Sequence, residues 1–451
     1  MPPLPTFLYV LQTCLFLSEK AQAWAKKRRT PTSMFGTPAY ACCVRYQLLL
    51  GVFEMISADL FEKSASSLRE WWLSTRVRQW FEDKGYFLYY PLVVKGASSD
   101  FLVPSMDFDQ GRVFYAQDSE ARHVFIRAFK IGSPQLNIYK FLNGKQNQSG
   151  FFDGIIPILE FLELDEYCFV VMPRWGRASS WECTLRSNLT FIHFLLKGLA
   201  FLHENNIVHR NLDIDKIAAN HIINPKLPAM NEARRDLQHA GKLVPALIDF
   251  DLAIQFSPDS SPSSRLLPRR MAQRISVQRD LSQGEYRYDP FAYDVEAMGY
   301  MLCAQFQHLT PDLPMLAPLL DRMITRDKQK RFTASEAFRF FQDMAARPDV
   351  ARGHDMDVRL DDLVGFTPAN REHYEDYDRW EGLPESFVDA YGPEYRELPP
   401  LQKTRFLRSV CRSLIGFWCV LVIRLVVDAI RFVFGFLTRS LIGGIGNKNE
   451  I

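Results

Sequence analysis

The feature that most constrains the fold of this chain is a change of periodicity near its middle. Before about residue 175, short runs rich in aromatic and β-branched residues predict strands, namely "YFLYYPLVV", "RVFYAQ", "HVFIRAF", "GIIPILEFLEL" and "EYCFVVMP". The stretch "PQLNIYKFLN" among them predicts one helix. From about Thr190 apolar residues recur at helical spacing, as in "FIHFLLKGLAFLHEN". The chain is therefore predicted to be α+β, with a small β-rich part followed by a larger helical part.

Further helices are predicted on both sides of this change. Upstream, 60–81 has the apolar spacing of an amphipathic helix, and Gly85 ends it. Downstream, the same periodicity predicts three helices, at 292–306, 314–325 and 334–345. The segment 257–283 is rich in Ser, Pro and Arg and is predicted to be a mobile loop.

Charge and cysteine content bear on the class of protein. The 54 Lys and Arg residues against 52 Asp and Glu residues give a net charge of +2, which gives no argument for a nucleic-acid partner. The eight cysteines include no CxxC pair, so their spacing fits neither a zinc site nor a small disulfide framework. Free thiols in a reducing compartment are predicted instead.

Several motifs, in a fixed order, resemble those of one enzyme family. "LLKGLAFLHENNIVHRNL" resembles the helix that leads into a protein-kinase catalytic loop, and "LIDFDLA" resembles the strand and metal-binding turn that follow. "YDPFAYDVEAMGYML" resembles the helix whose Asp, here Asp294, anchors that loop, and "RDKQKRFTASEAF" resembles a late element that contains Arg331. "CFVVMPRWG" stands where the hinge is expected, with Met172 at the back of a nucleotide pocket. The span from about 86 to 345 therefore resembles the protein-kinase fold.

The fold that this resemblance implies is bilobal, with a small β-rich N-lobe and a larger helical C-lobe. The pieces "RVRQWFEDKGYFLYYPL", "GRVFYAQDSEARHVFIR" and "VVMPRWG" also resemble a protein-kinase-like family of basidiomycete fungi. The predicted organisation is an N-terminal extension at 1–54, a helix at 55–85, the N-lobe at 86–175, the C-lobe at 176–345, an acidic linker at 346–400 and a hydrophobic tail at 401–451.

The resemblance implies a phosphoryl-transfer site, but several of its residues are replaced. A kinase uses a strand Lys on the phosphates, a helix Glu that holds this Lys, a loop Asp at the hydroxyl, and a loop Asn and a turn Asp for metal. Arg127 stands at the Lys position, and no Glu occurs between 128 and 159. Asn211 replaces the loop Asp, and an amide cannot accept the hydroxyl proton as a carboxylate does.

Two further replacements reverse the sign of a charge. Asp213 replaces the loop Lys that contacts the γ-phosphate, and Lys216 replaces the metal-binding Asn. Asp249 keeps its expected identity, whereas Asp251 stands in place of the following Gly. No GxGxxG motif precedes the strand that carries Arg127.

These replacements predict a pseudokinase with weak or no phosphotransfer. Loss of the catalytic base alone costs on the order of 10²- to 10⁴-fold in rate. The residues are still compatible with weak binding of ATP, through Arg127, Met172, Lys216 and Asp249. Asp249 is then the candidate ligand of Mg²⁺.

The alternative is an active but atypical Ser/Thr kinase that uses Mg-ATP. Asp213 would accept the proton that Asn211 cannot, and Lys216 would neutralise phosphate charge in place of a metal ion. Asp249 with Asp251 would hold a single Mg²⁺. Because this alternative shifts several roles at once, the pseudokinase is the preferred prediction.

The end of the chain predicts contact with a membrane. Residues 414–437 form a 24-residue apolar run, long enough to span a bilayer, and Arg424, Asp428 and Arg431 interrupt it on one helical face. Its sixteen Leu, Ile, Phe and Val residues, at about −0.3 to −0.6 kcal/mol each, nearly balance three charges at about +2.5 to +3.5 kcal/mol each. Spanning, lying in the interface and packing on the core all stay open. The prediction is membrane association through 401–440, with the main domain on the cytoplasmic side and a protein partner of unknown identity.

Overall fold

The computed structural model of the chain describes much of the span from residue 70 to residue 347 and one shorter segment beyond it. The described residues are 70–72, 74–89, 112–150, 152–178, 185–222, 228–272, 287–347 and 377–397, with Cys419 and Ile423. All of them lie in the second of two units, Glu62–Ile451. The predicted N-terminal extension at 1–54 lies outside the described residues, as does the hydrophobic tail at 401–451 apart from two single positions.

A five-stranded antiparallel sheet forms the first part of the described fold. Its strands are β1 (Tyr86–Leu88), β2 (Val113–Asp118), β3 (His123–Lys130), β4 (Glu160–Leu164) and β5 (Tyr167–Pro173). They lie in the order β1-β2-β3-β5-β4, and each neighbouring pair is antiparallel. The predicted α+β class and the predicted β-rich first part are therefore confirmed.

The two faces of β3 meet different parts of the fold. Ile126 lies on one face and packs with Trp72 and Phe81 in an aromatic cluster. Arg127 and Phe129 point to the opposite face, because successive side chains of a strand alternate. Phe129 belongs to the large core that the sheet shares with the helices. Arg127 is thereby directed toward the helical part of the molecule.

Helices form most of the rest. They are α1 (Thr75–Asp83), α2 (Pro134–Ser149), α3 (Leu185–Glu204), α4 (Pro228–His239), α5 (Pro290–Phe306), α6 (Leu316–Ile324), α7 (Ala334–Ala345) and α8 (Glu385–Tyr395). The three helices predicted from downstream periodicity correspond to α5, α6 and α7, with bounds within two residues. Of the helix predicted over 60–81, residues 60–69 lie outside the described residues and 70–72 are helical. The prediction did not include a break at Ser74, whose hydroxyl accepts from the Val77 N–H at 3.4 Å and begins α1.

Short strands pair between the helices and hold the loops of the candidate site. These strands are β6 (Gly176–Arg177), β7 (Ile207–Val208), β8 (Ile217–Ala219), β9 (Pro245–Leu247), β10 (Ile254–Gln255), β11 (Leu267–Pro268) and β12 (Arg287–Tyr288). β6, β8 and β9 form one sheet, β7 pairs with β10, and β11 pairs with β12. Pairing of β8 with β9 brings the chain after residue 209 beside the chain after residue 247.

The segment predicted to be a mobile loop, 257–283, is partly ordered. The structure describes it as far as residue 272, with turns, β11 and a 3₁₀ turn at Arg269–Met271. The Arg265 Nε donates to Ser260 Oγ at 2.8 Å, and its guanidinium lies 5.5 Å from the centre of the Phe291 ring. The contacts of Arg265, the pairing of β11 with β12 and the burial of Leu267 and Ala272 hold the described part of this segment.

Part of the predicted acidic linker is folded as well. Residues 377–397, which include α8, pack against α6 through a buried carboxylate, Asp321. Its oxygens accept from Arg379 Nε at 2.6 Å, from Trp380 Nε1 at 2.8 Å and from the Glu397 N–H at 2.8 Å. This segment also contributes Trp380 and Leu383 to a small apolar cluster with Ala317 of α6, so its docking combines apolar packing with charge pairing.

A helix that spans a bilayer must be long and predominantly apolar, and this requirement applies to the helices of the described residues. In that part of the chain, none combines the length and the apolar character needed to cross a bilayer. The predicted membrane-associating segment, 401–440, falls outside it.

Candidate functional site

A buried carboxylate of α5 holds the loop that follows β7. The two oxygens of Asp294, which is fully buried, accept from the His209 N–H at 2.6 Å and from the Arg210 N–H at 2.8 Å. Arg210 has a positive φ of 67°, which is uncommon for a residue with a side chain. Its guanidinium donates to the carbonyl of Leu252 at 2.8 Å and to that of Met271. Asp294 therefore anchors this loop, as the sequence predicted.

The imidazole of His209 is buried and fully paired in its neutral form. Its Nε2 donates to the carbonyl of Ile248 at 3.0 Å, and its Nδ1 accepts from the Asn211 N–H at 3.3 Å. One ring nitrogen donates and the other accepts, which is the pattern of an uncharged ring. Burial lowers the pKa of His209, while the nearby Asp294 carboxylate opposes this effect without reversing it.

Because His209 is held neutral, we expect the protein to lose stability in mild acid. The unfolded chain binds a proton at His209 near pH 6.5 and the folded chain does not, so stability is present above about pH 6.5 and declines below it. The free energy of unfolding, measured in urea from pH 7.5 to 5.0, should fall by up to about 1.4 kcal/mol per pH unit for this group. Burial also lowers the pKa of four other histidines, His123, His193, His221 and His308.

A variant separates His209 from the other histidines. His209→Gln should show a shallower decline with pH than the wild type, whatever its stability at pH 7.5. The exposed His239→Gln serves as the control and should keep the wild-type slope. An unchanged slope in His209→Gln would mean that His209 does not contribute to acid destabilisation.

Four charged side chains meet beside this loop, and we call them the ion cluster: Arg127, Lys216, Asp249 and Asp251. Arg127 Nη1 lies 3.3 Å from Asp249 Oδ1, and Arg127 Nη2 donates to Asp251 Oδ2. Lys216 Nζ donates to Asp249 Oδ2. The side chain of Arg127 is 6% exposed, whereas those of Lys216 and Asp249 are 27% and 19% exposed. The ion cluster is therefore closed on the sheet side and reachable on the other.

Local structure brings these four residues together. Arg127 comes from the inward face of β3, and Lys216 ends a 3₁₀ turn, Ile214–Lys216. The Ile248 N–H donates to the carbonyl of Lys216 at 3.0 Å, which places Asp249 next to the lysine. Asp249 has a positive φ of 69°.

The charges of the ion cluster also set the titration of Asp249. Its burial raises the pKa, but Arg127 and then Lys216 outweigh burial and hold the pKa below the ordinary value of Asp. The Asp249 carboxylate is therefore ionised at neutral pH and is balanced by two cations on the same chain.

Three of the residues that the sequence assigned to nucleotide and metal binding, Arg127, Lys216 and Asp249, are in direct contact. Met172 lies on the same sheet face, because it pairs with Phe125 of β3 two residues from Arg127, but it is not part of the ion cluster. It is 1% exposed.

The other two assigned residues, Asn211 and Asp213, lie in the anchored loop. The backbone N–H of Asn211 is used by His209. Asp213 caps the 3₁₀ turn: its Oδ1 accepts from the Ile214 N–H at 2.7 Å. One oxygen of the acid that the alternative assigns as proton acceptor therefore has a structural role.

Lys130 confirms the choice of Arg127 as the inward cation. Its side chain is 70% exposed and lies 3.6 Å from Glu166 on the surface. It is three residues from Arg127 and so points to the other face of β3.

Sequence reasoning missed two contributions to the site. It left Arg127 without an acid, whereas Asp251 forms an ion pair with this buried arginine. It also missed Tyr139 of α2, whose ring lies 5.1 Å from that of Phe129 and 5.6 Å from that of Phe250. The apolar spacing of α2 was the available signal for Tyr139.

A divalent cation bound to Asp249 does not fit this arrangement. Both oxygens of Asp249 already face a cation, and Mg²⁺ would have to displace Lys216 and lie beside Arg127. Charges of the same sign repel strongly at such separations in a partly buried site. Among the described residues, no group of three or more His, Cys, Asp or Glu side chains is arranged to hold a metal ion.

An open cleft of about 590 Å³ lies elsewhere in the fold and does not include the ion cluster. It lies between α2, the end of α3 and the chain that follows β10. It is lined by Phe141, Lys145, Glu204, Asn205, Asn206, Gln255, Phe256, Ser257 and Pro258. The converging buried charges, which this cleft lacks, select the ion cluster as the candidate site.

Neither a protein-family model nor a curated protein matches this chain, so its function is argued from the geometry of the site.

Proposed function

We propose that this chain is a pseudokinase of bilobal protein-kinase fold, with weak or no phosphotransfer, that acts as a binding or scaffold module at a membrane. The observation that carries the proposal is the state of Asp249. The one catalytic carboxylate that keeps its expected identity is bound by Lys216 and Arg127. A kinase needs this group for metal.

Three features of the fold support the kinase comparison. A five-stranded antiparallel sheet is accompanied by α2, which follows β3, and is succeeded by a helical part. A carboxylate of α5, Asp294, accepts from the backbone of the loop after β7. The buried Arg331 donates from Nη2 to the carbonyl of Thr325 at 2.6 Å and from Nη1 to that of Ala292 at 3.1 Å.

The loop chemistry supports loss of transfer. Asn211 stands where a carboxylate would orient the attacking hydroxyl, and an amide oxygen is a poor proton acceptor. Asp213, the nearest acid in the loop, is engaged in capping the 3₁₀ turn. Weak ATP binding without transfer requires only the pocket, Arg127 and Asp249.

The binding and membrane parts of the proposal rest on the sequence. A two-lobed domain without chemistry still offers a large surface to a protein partner. The apolar tail with its upstream Lys and Arg residues would hold the domain at the cytoplasmic side of a membrane through 401–440. Neither charge nor motif favours nucleic acid.

A phosphate-transfer assay with radiolabelled ATP and Mg²⁺ tests the proposal. The wild type, Asp213→Ala and Asp249→Ala are expected to be equally inactive toward protein substrates and toward themselves. Asn211→Asp should not restore transfer, because Asp249 stays bound to Lys216 and Arg127. Wild-type transfer that is lost in Asp213→Ala would reject the pseudokinase and support the atypical kinase.

A fluorescent reporter joined to 401–451 tests the membrane part. It should collect at membranes, in contrast to the reporter alone. A diffuse soluble signal would reject membrane association.

A further inference from the structure

We infer that the side chains of Lys216 and Arg127 take the place of a divalent cation at this site, so that a nucleotide bound there is held without metal. The inference rests on the nucleotide-binding part of the proposed function. It concerns the same ion cluster and states which chemical form of the ligand this cluster accepts.

The charge balance is the first argument. Arg127 and Lys216 carry two positive charges, and Asp249 and Asp251 carry two negative charges, so the ion cluster is neutral by itself. Carboxylates that bind Mg²⁺ are normally left with an excess of negative charge for the ion to neutralise. Here the chain itself supplies the compensating cations.

The position of Lys216 is the second argument. The backbone that carries it is fixed, because Lys216 ends a 3₁₀ turn that is hydrogen-bonded on both sides. The Lys216 N–H donates to the carbonyl of Asp213 at 2.8 Å, and its own carbonyl accepts from the Ile248 N–H at 3.0 Å. Its ammonium is held on Asp249 by the hydrogen bond to Oδ2, and Asp249 is the carboxylate to which the kinase comparison assigns a metal ion.

The donor capacity of Lys216 is the third argument. An ammonium has three N–H donors, and within the described residues Asp249 is the one hydrogen-bond partner of Lys216 Nζ. Its side chain is 27% exposed, so the remaining donors can be reached from solvent. A phosphate oxygen could accept from them without breaking the contact with Asp249. Metal-free nucleotide is therefore the form that this site fits.

Binding of Mn²⁺, measured by electron paramagnetic resonance on the full chain without nucleotide, tests the metal half of the inference. The wild type should bind no Mn²⁺ at the ion cluster, so its signal should equal that of Asp249→Asn. Lys216→Asn removes the competing cation and adds an amide oxygen, and it should gain a signal of bound Mn²⁺ that the wild type and Asp249→Asn lack. Lys140→Asn makes the same change at an exposed ion pair with Glu163 and should match the wild type.

Thermal unfolding with ATP tests the nucleotide half. The wild type should show the same ATP-induced rise in Tm in EDTA as in Mg²⁺. Lys216→Asn should lose the rise in EDTA and regain it in Mg²⁺, while Lys140→Asn should behave as the wild type.

The possible results of these two measurements bear on different parts of the inference and of the proposed function. A wild-type rise that requires Mg²⁺, or wild-type Mn²⁺ binding that Asp249→Asn abolishes, would overturn the inference. No rise in either buffer would reject nucleotide binding, both in the inference and in the proposed function, while the Mn²⁺ measurement would still decide whether Lys216 excludes metal. If Lys216→Asn does not fold, the two wild-type measurements and Asp249→Asn decide by themselves.

Discussion

Replacement of Asp294 by alanine is expected to lower the free energy of unfolding by about 3–5 kcal/mol. The carboxylate lies at the centre of the fold and accepts from the backbone of His209 and Arg210. Alanine leaves both N–H groups buried without an acceptor, and each such group costs about 1–3 kcal/mol. It also removes the constraint that keeps Arg210 at positive φ. Urea unfolding measures the total loss, and hydrogen exchange at residues 209 and 210 locates it.

Two controls isolate the role of this carboxylate. Asp294→Asn keeps the size of the side chain but has one acceptor oxygen in place of two, so its loss should be smaller than that of alanine. Asp83→Ala removes an exposed acid that accepts from Gln79 and should change stability by about 0.5 kcal/mol or less. Slow exchange at residues 209 and 210 in Asp294→Ala would show that another group anchors the loop.

Replacement of Asp321 by alanine is expected to cost a similar amount, about 3–5 kcal/mol, and to release residues 377–397. Asp321 is 1% exposed, and its substitution leaves the buried guanidinium of Arg379 without its acid. The Trp380 indole N–H and the Glu397 N–H lose the same acceptor. Urea unfolding measures the cost, and limited proteolysis detects the release of the segment.

A double-mutant cycle distinguishes a specific pair from general disruption. Asp321→Ala with Arg379→Ala should cost clearly less than the sum of the two single variants, because neither charge is then left alone in the core. Glu166→Ala breaks an exposed pair with Lys130 and should cost less than about 1 kcal/mol. Additive losses in the cycle, or resistance of 377–397 to protease in Asp321→Ala, would contradict this account of docking.

The strands of the first part and the helices α5, α6 and α7 could be predicted from the sequence because their patterns are local. Alternation along a strand and three- to four-residue spacing along a helix show which side chains share a face. The anchoring role of Asp294 was also predictable, because the motif that contains it stands in the order expected from the resemblance of residues 86 to 345 to protein kinases. The apolar periodicity of the upstream helix did not show the break at Ser74, whose hydroxyl caps α1.

The acidic linker shows why composition can mislead. Residues 377–397 mix acidic residues with apolar ones, of which Trp380 and Leu383 pack on α6. Their docking also uses Asp321, which lies 58 positions from Arg379 along the chain. The sequence around Arg379 does not predict that it pairs with Asp321.

At the candidate site, too, the sequence shows the identity of each residue but not its contacts with residues far away along the chain. Comparison with kinase motifs treated the three residues separately. Arg127 and Lys216 each replace a kinase residue, whereas Asp249 keeps its expected identity, and each was assigned its own ligand. The structure joins them, with Asp251, into one neutral group, across 124 positions between Arg127 and Asp251. Asp249 was predicted to be free for Mg²⁺ because the sequence does not state how far its carboxylate lies from an ammonium.

By itself, the sequence determined the periodic elements, their order and the chemical identity of each group at the site. Only the tertiary structure decided which charge neutralises which, because a buried charge pairs with the opposite charge nearest in space. That distance is set by the pairing of β8 with β9 and by the inward face of β3. It is not set by separation along the chain.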